Sequence, residues 1–140
     1  MSVELSEIQK PLYNEMMGYI LAIETEMLIE VDQTNGENIA YTLMKRISLL
    51  ATCARMMSTA TAIYDWAKGE AAKEVLGHEQ LLNAKQDIQR KWFDGRLSKW
   101  NALYVRAERS YKDLSLSIEG LRSLLSYEKN LANLNNVQRT

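Results

Sequence analysis

Aliphatic side chains recur every three or four residues along almost the whole chain. Leu5, Ile8, Leu12, Met16, Tyr19, Ile23 and Met27 mark one such stripe. A 3.6-residue turn places residues at these spacings on one face, so they predict a helix over about 4–31. Ser2 or Ser6 stands where an N-cap is wanted, and Pro11 either sits within the first turn or moves the start to Lys10. Asp32-Gln33-Thr34-Asn35-Gly36 breaks the pattern, and its Asn-Gly pair tolerates turn conformations. A second stripe runs through Ile39, Leu43, Ile47, Leu50, Ala54, Met57, Thr61 and Tyr64, predicting a helix over 37–68. Its middle is crowded with small residues, Ala51 to Ala54 and Ser58 to Ala62, which let neighbouring backbones approach closely.

Gly69 either ends that helix or is absorbed by it, and residues 70–76 are good helix formers before Gly77, a C-cap signal. A last stripe runs from Leu81 through Ile88, Trp92, Leu97, Trp100, Leu103, Ala107, Leu114, Ile118, Leu121, Leu125 and Leu131, predicting a helix over 80–133. From Leu97 to its end it would be roughly 55 Å long at ~1.5 Å per residue. A compact chain of this length has a radius of gyration of only ~14 Å. The pattern therefore predicts an all-α fold, an elongated bundle of three to four long amphipathic helices in a single domain, 1–140, that associates with itself. The four-three-four spacing of Leu114, Ile118, Leu121 and Leu125 suits near-parallel helix packing.

Composition strengthens this picture. Hydrophobic residues make up 46% of the 140 residues and charged residues 25%, which are globular values and argue against disorder. One proline permits long helices. One cysteine, Cys53, allows no intramolecular disulfide, and with no signal-peptide pattern or long apolar run it points to a soluble, cytoplasmic protein.

The net charge of −1 conceals an asymmetry. Residues 1–38 carry Glu4, Glu7, Glu15, Glu24, Glu26, Glu30, Asp32 and Glu37 against Lys10 alone. Residues 90–112 carry Arg90, Lys91, Arg96, Lys99, Arg106, Arg109 and Lys112 against Asp94 and Glu108. The two segments either offset each other, within or between chains, or the second forms a site for an anion.

Catalytic chemistry is not visible. A metal site needs several converging ligands, and the single histidine, His78, beside Gly77, reads as a surface residue. Cys53 lies in an apolar stretch without a basic neighbour, and the glycines are scattered singly rather than forming a phosphate-cradling loop. The chain is therefore read as no enzyme and as having no cofactor and no metal. One constellation remains: basic residues alternate with Trp92, Phe93, Trp100, Tyr104 and Tyr111 between Arg90 and Lys112. Such a mixture suits a nucleotide-like anion or a nucleic-acid strand, with Arg96, Lys99, Arg106, Arg109 and Arg122 holding phosphate and Trp92 or Trp100 stacking. The alternative is that the tryptophans are core anchors and the basic residues a solvated face. No helix-turn-helix or other named nucleic-acid motif is present.

The segments Glu108-Arg109 and Ser117-Ile118-Glu119-Gly120-Leu121-Arg122-Ser123-Leu124-Leu125-Ser126-Tyr127, together with Arg46-Ile47-Ser48-Leu49-Leu50, carry a resemblance. They resemble small all-helical proteins of unknown function carried by phages and mobile elements of Bacteroides-like bacteria, over about half of the chain. Where that pattern has a polar Asn and His-Gln, Tyr111, Leu116 and Ser117 stand here. The resemblance implies a phage or mobile-element accessory protein and no particular activity. Such proteins act by binding, which includes counter-defence by blocking a host protein or sequestering an anionic nucleotide signal. The sequence leaves open a homo-oligomeric binding protein, a scaffold with helix-only partners, and a single-strand nucleic-acid accessory factor.

Overall fold

The computed structural model describes residues 3–7 and 9–139, the side chains of residues 138 and 139 apart. Ser2, one of the two N-cap candidates, and Ile8 of the first stripe lie outside the described residues. The chain is all-α, with no strand among the described residues: α1 (Lys10–Met27), α2 (Gly36–Thr52), α3 (Met56–Leu76), the single turn α4 (Glu79–Leu82) and α5 (Gln86–Arg139).

Several boundaries differ from the sequence expectation for local reasons. Helix α1 begins at Lys10, where Pro11 falls in the first turn and needs no amide partner. It stops at Met27, because the Leu28 and Ile29 amides tighten onto the carbonyls of Thr25 and Glu26 at three-residue spacing. Residues 28–35 then turn. The Asp32 carboxylate accepts the Thr34 amide and hydroxyl, and Asn35 caps α2 by accepting the amides of Glu37 and Asn38. A cap of this kind contributes about 1 kcal/mol.

The expected 37–68 helix is two helices. Helix α2 ends at Thr52, and the Cys53 amide donates to the carbonyls of both Leu49 and Ala51. No proline or glycine marks this break. Thr and Cys are weak helix formers, and the Thr52 hydroxyl bonds the Ser48 carbonyl. Helix α3 then runs through the exposed Gly69, so the expected 70–76 helix is its last turns. Gly77 ends α3 as anticipated, its amide donating to the carbonyls of Lys73 and Glu74. Helix α5 absorbs both Gly95 and Gly120; a Cβ at either would meet no neighbour.

The chain divides into two compact units. Unit one holds residues 1–20 and 55–108. Its core joins Met16 and Ile20 of α1, Met56, Ala60, Ile63, Ala67, Ala71 and Val75 of α3, and Leu97, Trp100 and Ala107 of α5. Trp100 is the largest fully buried side chain among the described residues. Unit two holds residues 21–54 and 109–140. Ile23, Ile39, Leu43, Cys53, Leu114, Ile118 and Leu121 form its apolar core, which also takes in Glu26, Thr42, Arg46 and Ser110. No helix among the described residues is long and apolar enough to cross a membrane.

Candidate functional site

Helix α5 distributes the residues of the basic and aromatic constellation rather than gathering them. Trp100 is 2% exposed; its indole N–H donates to the Val3 carbonyl at 2.9 Å, and its ring meets the edges of Tyr13 and Trp66. It is a core anchor, and the expectation that it stacks on a ligand is corrected: no face of the ring is open. Lys99 places its ammonium 5.2 Å from the Trp100 centroid and is itself exposed. Arg106 in unit one, and Arg109 and Arg122 in unit two, are exposed along α5. At 100° per residue Arg109 falls on the far side from the buried line of Trp100, Ala107 and Leu114, and Lys99 and Arg106 fall on its flank, so all three lie on the exposed part of an amphipathic helix.

Two of the expected residues do meet. Trp92 and Arg96, one turn apart on α5, line a cleft of about 490 Å³ with Glu74, His78, Gln80 and Leu81 in unit one. The Arg96 guanidinium lies 5.9 Å from the Trp92 centroid and forms an ion pair with Glu74. That carboxylate already neutralises the cation, so an anion entering the cleft would have to displace it. His78 is exposed, with backbone extended at φ −120°.

Unit two carries three features that the sequence reading did not single out. The first is a buried polar cluster. Arg46 and Glu26 are both 5% exposed, and their side chains pair, Arg46 Nε to Glu26 Oε1 at 3.3 Å. The remaining guanidinium nitrogens donate to the Ser117 hydroxyl on α5 and to the carbonyls of Glu26 and Ile29 at the end of α1. Lys45 adds a second cation 3.0 Å from Glu26 Oε2. Arg46 thus supplies a donor to two carbonyls at the C-terminal end of α1, where the Glu26 carbonyl also accepts the Ile29 amide. The signal was present: Ile39, Leu43 and Arg46 share the four-three spacing of a buried face, so a charge stands on an apolar stripe. The same contact joins the two resemblance segments, Arg46 in one and Ser117 in the other.

The second feature is a groove of about 510 Å³ lined by Leu21, Ile23, Glu24, Thr25, Met27 and Leu28 of α1 and its end, with Ser110 and Asp113 of α5. Leu28 is 83% exposed at its lip. The third is the outer side of α2, where Tyr41 is 68% and Met44 73% exposed.

Titration adds little chemistry. The hydroxyl and amide of Thr34 hold the exposed Asp32 carboxyl below its ordinary value. Burial pushes the Cys53 thiol up. A thiol whose folded value is raised stabilises the fold fully below its ordinary value, and that stabilisation is lost as pH rises through the folded value. Cys53 is therefore expected to resist Ellman's reagent at pH 8 in the native protein and to react at once in urea. Rapid native labelling would contradict its burial. No group of three or more His, Cys, Asp or Glu among the described residues could hold a metal ion. Compared with family models, curated proteins and solved structures, the chain matches none.

Proposed function

We propose that this chain is a non-enzymatic binding protein that works by packing exposed apolar helix faces against helical partners. In the setting the resemblance implies, it is a phage or mobile-element accessory protein, acting in the bacterial cytoplasm, whose counter-defence mode is to block a host protein. The observation that supports this is the concentration of large exposed apolar side chains on unit two: Leu21 and Leu28, Tyr41 and Met44, and Leu116. Apolar side chains scattered singly are normal on any surface, but Tyr41, Met44 and Ile47 stand on successive turns of α2, so this helix presents a continuous exposed apolar stripe of the kind that binds protein.

A second reading, sequestration of a nucleotide-like anion, has one observation in its favour: Trp92 and Arg96 share a cleft with His78 and Gln80. Thermal denaturation separates the two, because any selective ligand raises apparent stability. The first reading expects no shift from cyclic or linear nucleotides at saturation. It expects an upward shift with an uncharged amphipathic helical peptide that is lost in Leu28→Asp or Met44→Glu. A nucleotide shift abolished by Arg96→Gln, with no peptide response, would establish the second reading instead.

A further inference from the structure

Helix α2 is inverted relative to an ordinary surface helix. Its inward face buries a guanidinium and a hydroxyl, Arg46 and Thr42, beside Ile39 and Leu43. Its outward face carries Tyr41, Met44 and Ile47, all exposed. At 100° per residue, Glu37, Ala40, Tyr41, Met44, Ile47, Ser48 and Ala51 lie within about 60° of the Met44 direction. Glu37, at the first turn, is the only charge among them. Lys45 turns sideways onto Glu26 of α1 and leaves this face. A solvated helix face on a chain with 25% charged residues is expected to carry several charges, not one at its end.

We infer that this face binds the same face of a second copy, with the two α2 helices antiparallel about a two-fold axis at Met44. The inference rests on the helix-binding reading above and names its partner. Three features select this occupant and orientation. A stripe whose one charge stands at its end excludes a strongly charged partner, since that partner's ions would be buried unpaired. The stripe is self-complementary: about Met44, Tyr41 of one copy meets Ile47 of the other, twice, while Ala40 meets Ser48. Small residues at the flanks let the helices close to the ~8–10 Å of packed pairs. The one charge sets the direction. Parallel helices would set the two Glu37 carboxylates side by side, whereas antiparallel helices set each Glu37 against Ala51 and separate the two carboxylates by about 21 Å. A stable interface takes about 800 Å² from each partner, more than one four-turn face supplies, so the dimer is reversible and concentration-dependent.

Sedimentation equilibrium over a wide concentration range, with cross-linking, tests this. The wild-type chain is expected to pass from monomer to dimer. Met44→Glu is expected to stay monomeric with an unchanged circular dichroism spectrum and melting midpoint, because Met44 supports nothing within the monomer. In a mixture of Glu37→Cys and Ala51→Cys proteins, a short bismaleimide is expected to join unlike copies and leave like copies unlinked; Cys53 is buried and does not compete. Like-with-like cross-links would overturn the antiparallel arrangement. A dimer that survives Met44→Glu would overturn the assignment to α2. A chain that stays monomeric throughout yet binds the uncharged helical peptide through Met44 overturns the second copy and leaves the helix-binding reading standing. If it is monomeric and binds no helix, both are overturned.

Discussion

Replacing Arg46 by Met is expected to destabilise the protein by about 3–5 kcal/mol, the range for removing one partner of a buried ion pair. Against a typical total of ~5–15 kcal/mol, that loss could unfold a substantial fraction of the chain at physiological temperature. The cost has identifiable parts. Glu26, 5% exposed, keeps a carboxylate inside unit two with only the half-exposed Lys45 beside it. At the end of α1 the Ile29 carbonyl loses the guanidinium and the Glu26 carbonyl keeps only the Ile29 amide, and the Ser117 hydroxyl loses its partner on α5. One guanidinium serves four oxygens at fixed angles, which an ammonium on a single stem does not reproduce, so Arg46→Lys recovers only a minor share. The double change Glu26→Gln with Arg46→Met removes the stranded charge and is expected to be milder than Arg46→Met alone. Urea denaturation of the four proteins in a cycle reads the coupling directly. A cost below about 1 kcal/mol for Arg46→Met would place this pair with exposed ones and remove the cluster from the account.

The cluster also shows what the sequence could and could not yield. The helical stripes were legible because burial of one helix face requires a side chain every turn, and Met16, Ile23, Leu114, Ile118 and Leu121 are in the core where the spacing placed them. Gly77 was legible because a helix end has a residue signature. The break at Cys53 was not, since Ala51 to Ala54 contains no residue that forbids a helix; only the turn itself distinguishes it. Ile47 sits on the apolar stripe yet is exposed, while Arg46 beside it is buried. A periodicity that scores charge as outward assigns this pair the wrong way round, because it does not see Glu26 and the carbonyls that make an inward arginine favourable. The basic and aromatic constellation failed in the opposite sense. Trp92 and Arg96 do meet, one turn apart, but Trp100 is held in the core against Tyr13 of α1 and Trp66 of α3, and nothing local in α5 reveals those partners.

Trp100→Ala is the second large expected effect, about 3–5 kcal/mol, the range for emptying a core aromatic site. The side chain is 2% exposed and meets Tyr13 and Trp66 with ring centroids at 6.1 and 5.6 Å, both edge-on. Such aromatic pairs contribute ~0.5–1.5 kcal/mol each beyond their buried area. Trp100→Phe separates packing from the polar tether. It keeps an aromatic body but leaves the Val3 carbonyl, on a residue 4% exposed, without the indole N–H. Its expected cost is smaller, about 1–3 kcal/mol, and includes some volume loss. The N-terminal segment reports which part is lost: the Val3 amide, bonded to the Arg96 carbonyl at 3.4 Å, is expected to exchange its hydrogen faster in Trp100→Phe while the amides of α3 stay protected. Equal exchange at Val3 in both proteins would mean that the indole bond does not hold this segment, and Trp100 would then act through its bulk alone.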